Sequence, residues 1–184
     1  MMRRYNVLKF LLKGITAFGL IIFFIYGSAG ASDPFTEMGV IRPRVRVEAP
    51  AFNLRDINGV RRGLTDFKGK VILLNFWATW CPHCREDMPS LQKLWEKFKS
   101  KGVVVIAVAV NRRANDVDEL ARKLGLTFPI LLDVDGSTRR AYEVAALPMT
   151  YIIGKDQRIS GRIFGGKDWT DKDADALMKD LLRQ

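Results

Sequence analysis

Two cysteines and one histidine lie within four residues of each other, in the stretch NFWATWCPHCREDMP that runs from Asn75 to Pro89. Cys81 and Cys84 are the only cysteines of the 184-residue chain, and His83 is its only histidine. Two thiols with a two-residue spacer can bind a metal, form a structural crosslink, or exchange electrons with another disulfide. The surrounding residues favour one of these three uses.

Metal binding is disfavoured by the number of ligands. A closed zinc site takes about four Cys or His ligands in tetrahedral geometry, whereas this chain offers three within four consecutive positions. Those three could hardly surround an ion unaided, so a site would need a distant ligand such as Met149. A structural disulfide is also disfavoured, because so small a loop removes little entropy from the unfolded chain. We predict no metal and no cofactor beyond a redox-active Cys81–Cys84 disulfide.

The elements that must position the two thiols favour redox chemistry. The run VILLNFWA, Val71 to Ala78, is apolar almost throughout and predicts a strand buried on both faces. Apolar residues at helical spacing follow the cysteines. Unpaired N–H groups and the dipole at the start of that helix favour a thiolate at Cys81. Cys81 is then expected to attack a substrate disulfide and Cys84 to resolve the mixed disulfide.

From about residue 49 onward, apolar runs alternate between strand and helix patterns. Asn58-Gly59 lies between two short apolar runs and predicts a β-hairpin. Strands are predicted at 103–110, at 128–133 and in a second hairpin over 149–166, and helices near 116–125, 137–142 and 170–183. Thr170 is the expected N-cap of the last helix. This order predicts an α/β fold with a central sheet.

The first 31 residues have the pattern of an export signal. Four basic residues precede an uncharged stretch, and small residues at 29–31 fit a signal-peptidase site. The stretch Gly14 to Ser32 is also just long enough for an uncleaved membrane anchor. Both interpretations place the remainder outside the cytoplasm, since the basic end stays inside. Residues 32–48 contain two prolines, with a third at Pro50, and predict a tether with an edge strand at Val45–Val47. Residues 49–184 are expected to form the domain.

The net charge of +10 does not by itself indicate a nucleic-acid partner. The basic residues outside the N-terminal segment form no clustered stripe with stacking aromatic residues, which nucleic-acid binding would require. We therefore expect protein partners, no nucleic acid, and a monomer.

The segment VILLNFWATWCPHCREDMPSLQKL resembles the active site of the thioredoxin superfamily and, more narrowly, that of the TlpA/ResA-like extracytoplasmic oxidoreductases. The hairpin and first strand, from Ala49 to Cys81, resemble the entry to that fold. LPMTYII resembles the segment that carries the family's cis-proline, at Pro148. The resemblance implies a thioredoxin-like fold, a mixed sheet flanked by helices, with an N-terminal hairpin extension. It also implies a substrate groove formed by Leu147, Pro148 and Met149.

Several residues around the cysteines are expected to tune the pair. Trp80 and the spacer residues Pro82 and His83 flank the thiols, and the Pro-His spacer is similar to that of the oxidant DsbA. Asp87 stands where ResA-like proteins often carry Glu, although Asp is one methylene shorter and could instead be a solvated surface charge. Asn75 replaces the buried Asp of thioredoxins, so any proton transfer must use another group.

The resemblance implies an enzyme that reduces disulfides in exported proteins, for example apocytochrome c, and is recycled by a membrane electron donor. The DsbA-like spacer leaves a disulfide oxidant or isomerase open as an alternative. A copper-binding module of the Sco type is more remote, because the chain has no second histidine. A peroxidase would need a Thr-x-x-Cys site, which Thr79 does not provide.

Overall fold

The computed structural model describes residues 33–111 and 113–184. Helices are interspersed along the chain with seven strands, which form one sheet. The strands are β1 (Asn53–Asp56), β2 (Arg61–Gly63), β3 (Val71–Trp77), β4 (Val103–Ala109), β5 (Ile130–Leu132), β6 (Met149–Ile153) and β7 (Ile159–Phe164). The α-helices are α1 (Pro34–Glu37), α2 (Pro82–Phe98), α3 (Ala114–Lys123), α4 (Ser137–Ala141) and α5 (Lys172–Arg183). Short 3-10 turns cover Leu64–Phe67 and Lys99–Lys101.

The sheet has the strand order β2-β1-β5-β4-β3-β6-β7. β3, β4 and β5 are parallel, while β1, β6 and β7 pair antiparallel with their neighbours. The carboxyl ends of the three parallel strands therefore meet the start of β6 at one edge of the sheet. The predicted mixed sheet is confirmed, and so is the N-terminal hairpin, in which β1 and β2 pair across the Asn58-Gly59 turn.

β3 is buried along its whole length, as its apolar sequence predicted. Its residues alternate between two hydrophobic clusters, because successive side chains of a strand point to opposite faces. One cluster contains Trp77, both cysteines and the buried residues of α2, α3 and α5. The other contains Phe76 and is closed by the 3-10 turn at 64–67 and by Tyr142 and Val144. The long helices thus cover one face, and turns and loops cover the other.

Part of the segment that we expected to be a tether packs on the domain. Asp33 caps α1 by accepting a hydrogen bond from the Phe35 N–H at 3.3 Å. Phe35 and Met38 are then 3 % and 4 % exposed. Ile41 exchanges both backbone hydrogen bonds with Arg162 of β7. Two buried apolar side chains in a short capped helix and a backbone pair with β7 therefore hold these residues on the domain.

The expected edge strand at 45–47 is replaced by an isolated bridge between Glu48 and Arg158. Pro43 has no N–H to donate, which prevents a continuous ladder from Ile41 onward.

The N-cap of α5 is Asp171 and not Thr170. The Asp171 side chain accepts from the Asp173 N–H at 3.2 Å. The N–H of Thr170 bonds Asp168 at 2.8 Å, and its hydroxyl bonds the same carboxylate. A carboxylate is also favoured at this position by the helix dipole.

The predicted signal or anchor, residues 1–31, lies outside the described residues. Within 33–111 and 113–184, no helix combines the length and apolar character needed to cross a membrane.

Candidate active site

The two cysteines lie at the sheet edge where β3 ends and α2 begins. Cys81 is the N-cap of α2, and its Sγ accepts a hydrogen bond from the Cys84 N–H at 3.2 Å. Pro82 occupies the first helical position, where its missing N–H costs nothing. The predicted disulfide joins Cys81 to Cys84, with the Cα atoms 5.3 Å apart.

The two sulfurs differ in their access to solvent. Cys81 is 6 % exposed, whereas Cys84 is 0 % exposed. A folded or extended partner can therefore reach only Cys81. When the disulfide is reduced, the Cys84 N–H and the N-terminus of the 17-residue helix both stabilise negative charge on the Cys81 sulfur. This asymmetry suits Cys81 as the attacking thiol and Cys84 as the resolving thiol.

Asn111 fixes the turn that delivers Cys81 from β3. The Thr79 N–H donates to Asn111 Oδ1 at 3.1 Å, and Asn111 Nδ2 donates to Thr79 Oγ1 at 2.6 Å. Asn111 is 5 % exposed and follows the end of β4. Our sequence reasoning missed this residue. The available signal was a polar side chain directly after a fully apolar strand next to the cysteine-bearing strand.

Asn75 is buried in the middle of β3 and pairs with Thr150 of β6 in register. Its Nδ2 donates to Thr150 Oγ1 at 2.9 Å. Its Oδ1 has no hydrogen-bond partner among the described residues. Asn75 lies two positions from both Leu73 and Trp77, so its side chain points to the same face of the sheet as theirs. That face also holds the cysteines. The amide is therefore a buried polar group near the pair, but it cannot accept a proton.

Asp87 provides a carboxyl group one helical turn after Cys84, on the same face of α2. It is 5 % exposed, so it is buried and not a solvated surface charge. Its Oδ1 accepts from the Lys167 N–H at 3.1 Å. The pKa of Asp87 is raised from 3.8 to about 6, chiefly by burial and to a smaller extent by the nearby Glu86. The Lys167 N–H bond and the charges of His83 and Lys167 act in the opposite direction.

His83 lies on the solvent side of α2. Its Nδ1 is 3.1 Å from Glu86 Oε2, and the two side chains are 76 % and 70 % exposed. Such an exposed pair contributes little stability. The effect of His83 on the Cys81 thiolate stays a prediction. Trp80, which directly precedes Cys81, is 69 % exposed.

The expected groove residues lie at the same edge of the sheet. Met149 pairs with Phe76 at the end of β3, and the preceding Leu147–Pro148 bond is cis. The backbone of Leu147 makes no backbone hydrogen bond within residues 33–111 and 113–184, so it is available to an extended substrate. Met149 is 1 % exposed and packs in the cluster around Phe76, so it presents almost no surface to a substrate.

No group of three or more His, Cys, Asp or Glu residues that could hold a metal occurs in the described part of the chain. The groups that the structure does bring together at this site are two sulfurs, a buried carboxyl group and a helix N-terminus.

Comparisons with known proteins agree with this geometry. Residues 45–162 match the AhpC/TSA family. The chain is 36 % identical over 150 residues to the thiol-disulfide oxidoreductase ResA of Geobacillus kaustophilus, covering 82 % of this chain and 85 % of that protein. It is 39 % identical over 112 residues to the ResA of Bacillus subtilis, covering 61 % and 63 % of the two chains.

A solved structure shows the same fold. The thiol:disulfide interchange protein of the thioredoxin family from Chlorobium tepidum superposes with a TM-score of 0.69 at 25 % identity. The superposition covers 76 % of this chain and 99 % of that chain.

Replacing the resolving thiol should trap the reaction halfway. In Cys84→Ala, Cys81 can attack a substrate disulfide, but nothing releases the mixed disulfide. We expect covalent adducts on non-reducing gels that disappear with dithiothreitol. Cys81→Ala is the matched control and should form none, because Cys84 is buried. Adducts on Cys81→Ala but not on Cys84→Ala would reverse the assignment.

The Asn111 contact should be measurable as stability. Asn111→Ala leaves the Thr79 N–H without its partner, and we expect the free energy of unfolding to fall by about 1–3 kcal/mol. Urea unfolding of the oxidised protein measures this change. Asn53→Ala is a suitable control, since Asn53 is exposed and its side chain makes no hydrogen bond within the described residues. Equal small losses in both variants would contradict the role of Asn111.

The raised pKa of Asp87 predicts a pH-dependent gain in stability for Asp87→Asn. A carboxyl group whose pKa is higher in the folded protein costs stability as pH rises from about 4 through about 6. The shift corresponds to roughly 3 kcal/mol, so the variant should exceed the wild type by up to that amount at pH 7.5.

At pH 4 the difference between Asp87→Asn and the wild type should be small, because both side chains are then neutral. Urea unfolding at the two pH values measures it. Glu86→Gln, an exposed neighbour, should change stability by less than about 0.5 kcal/mol. A gap between wild type and Asp87→Asn that is the same at both pH values would refute the assigned shift.

Proposed function

We propose a direction of electron transfer for this chain, which belongs to the AhpC/TSA family and is a thiol-disulfide oxidoreductase of the ResA type. It acts as a reductant of disulfides in other proteins. The observation that carries this proposal is the distribution of charge around the pair. The buried carboxyl group of Asp87 is one turn from Cys84, while the His83 ring is held by Glu86 at the surface.

The direction of transfer follows from which redox state the site stabilises. A dithiol is a strong oxidant when its reduced, thiolate-bearing form is stabilised, as in DsbA. Here a buried carboxylate opposes a second negative charge nearby. The His83 imidazole could offset the charge of this carboxylate, but its Nδ1 already bonds the Glu86 carboxylate. The site therefore stabilises the reduced, thiolate-bearing form only slightly, and so the dithiol gives up its electrons readily.

The reaction proceeds in two balanced exchanges. The Cys81 thiolate attacks one sulfur of the substrate disulfide and forms a mixed disulfide, and the other substrate sulfur leaves as a thiolate that takes a proton from water. Cys84 then loses its proton to the Asp87 carboxylate, and its sulfur attacks Cys81 Sγ. The second substrate sulfur leaves and is protonated. The substrate has gained two electrons and two protons, and the Cys81–Cys84 disulfide has formed.

The groove supports an extended polypeptide as substrate. The free backbone of Leu147 lies beside the cis Pro148 at the edge where the disulfide emerges. An added strand can pair with such an edge through its main chain. Specificity would then come from side chains flanking the substrate cysteine, next to the exposed Trp80.

The site of action that we propose is outside the cytoplasm. The basic, apolar and small-residue pattern of residues 1–31 supports export, as a cleaved signal or as an anchor. The substrates are exported proteins with disulfides, for example apocytochrome c, and a membrane dithiol donor returns the two electrons. The chain works as a monomer and needs no cofactor.

A disulfide oxidant or isomerase is the second candidate, because the Cys-Pro-His-Cys spacer resembles that of DsbA. One observation weighs against a DsbA relative. The residues between Cys84 and Pro148 form α2, β4, α3, β5 and α4, with no inserted helical domain in 85–111 and 113–147. A peroxidase is not favoured, since Ala78 stands three residues before Cys81 where such a site has Thr.

The reduction potential of the Cys81–Cys84 pair separates these functions. We expect a value near or below about −250 mV, measured by counting free thiols after equilibration in glutathione or dithiothreitol buffers. Asp87→Asn should raise the potential, because it removes the charge that opposes the thiolate. A wild-type value near about −130 mV would make the protein a disulfide donor. The absence of a reversible couple would exclude both directions.

A further inference from the structure

A single loop, residues 165–170 between β7 and α5, crosses α2 beside the buried carboxyl group. Ser90 connects the two. Its hydroxyl donates to the main-chain oxygen of Asp87 at 2.8 Å and accepts from the Trp169 N–H at 3.2 Å. The Ser90 hydroxyl oxygen also lies 3.4 Å from the main-chain oxygen of Lys167. One hydroxyl group thus joins the second turn of the active-site helix to the 165–170 loop.

The same loop holds the Asp87 side chain. The Lys167 N–H donates to Asp87 Oδ1 at 3.1 Å. A Cβ atom at Gly166 would lie 2.8 Å from that oxygen, closer than real Cβ contacts allow. The φ of Gly166 is not positive, so an alanine would be tolerated by the backbone and would displace only the carboxylate. Gly166 leaves room for the Asp87 carboxylate, and the Lys167 N–H bonds it. Together they fix where that carboxylate lies.

The remaining groups that act on Asp87 are side chains that reach the surface. Glu86 and His83 approach it from α2, and the Lys167 side chain approaches it from the loop. A groove of about 780 Å³ that includes Asp87 is also lined by Lys93 and Asp168. Those side chains reach solvent and are screened by it. The Lys167 N–H is therefore the contact with fixed geometry that favours the carboxylate over the neutral acid.

We propose that Ser90 is a positioning residue for proton transfer: by holding the 165–170 loop on α2, it keeps the Lys167 N–H on Asp87 and so fixes how readily Asp87 takes the proton of Cys84. The assignment rests on the proposed role of Asp87 as the proton acceptor. It does not depend on whether the protein reduces or oxidises its substrates.

Loss of the Ser90 contact should move the titration of Asp87 upward. A backbone N–H that donates to a carboxylate lowers the pKa of that carboxyl group, by roughly 0.5–1 unit for each bond. Ser90→Ala should therefore raise the pKa of Asp87 by about that amount, through the loosened Lys167 N–H. Gly166→Ala should act in the same direction by pushing the carboxylate away. Ser90→Thr keeps the hydroxyl and should restore the wild-type titration.

The test uses the oxidised full chain in detergent micelles. Carbon NMR of aspartate carboxyl groups follows each titration from pH 4 to 9, and the signal lost in Asp87→Asn identifies Asp87. We expect higher midpoints in Ser90→Ala and Gly166→Ala, and an unchanged midpoint in Ser90→Thr. An unchanged midpoint in Ser90→Ala, with native circular dichroism, would overturn the positioning role even if the midpoint moves in Gly166→Ala.

A second readout separates this inference from the function on which it rests. Release of a preformed mixed disulfide on Cys81 measures the step in which Cys84 loses its proton, and its pH dependence should shift with the Asp87 midpoint. A shift in both supports the proposal. If the Asp87 midpoint moves while the release profile stays fixed, Asp87 is not the acceptor and the proposed role of Ser90 fails with it.

Discussion

The burial of β3 on both faces is the constraint on which the active site depends. Every residue from Val71 to Trp77 is fully enclosed, with β4 on one side and β6 on the other. A strand held in this way fixes the place where the chain leaves the sheet, at the carboxyl end of β3. The hydrogen bonds between Asn111 and Thr79 and the N-cap position of Cys81 both depend on that place. The Cys84 N–H in the first turn of α2 bonds the Cys81 sulfur because the strand that precedes Cys81 is held in place.

The same enclosure makes every polar group near the pair costly. An unpaired buried amide oxygen costs about 1–3 kcal/mol, and Asn75 carries one. Asp87 adds a carboxyl group that burial keeps partly neutral near physiological pH. A fold selected only for stability would place apolar residues at both positions. Of the two, only Asp87 can take up a proton, and its buried position one helical turn after Cys84 fits the role that we propose for it.

Much of the fold could be predicted from sequence because its signals are local. Apolar runs marked β3 and β4, and helical spacing marked α2. The cysteine pair also follows from local spacing, and its surroundings follow from the resemblance. Asn111, Ser90 and Gly166 were missed for one physical reason. Each acts on a residue 32 to 79 positions away, and no local pattern marks a contact that only the folded sheet creates.

The docking of residues 33–41 was missed for a related reason. Phe35 and Met38 are too few to form a periodic pattern, and the prolines nearby suggest an extended chain. Their partners are supplied by the finished domain, so burial there is a tertiary effect. The N-cap at Asp171 differs in kind, since Thr170 is an equally acceptable cap by sequence. The choice was made by Asp168, which engages both polar groups of Thr170.

The Pro-His spacer and the carboxylates of Glu86 and Asp87 act in opposite directions on the redox pair. The Pro-His spacer alone would favour the reduced form, since an imidazole near Cys81 stabilises a thiolate. In this chain Glu86 takes up that imidazole from the solvent side, and Asp87 adds a buried negative charge from the opposite side. A charge screened by water has less effect than one that is enclosed. The buried carboxyl group should therefore outweigh the exposed histidine, and the spacer by itself does not determine the direction of electron transfer.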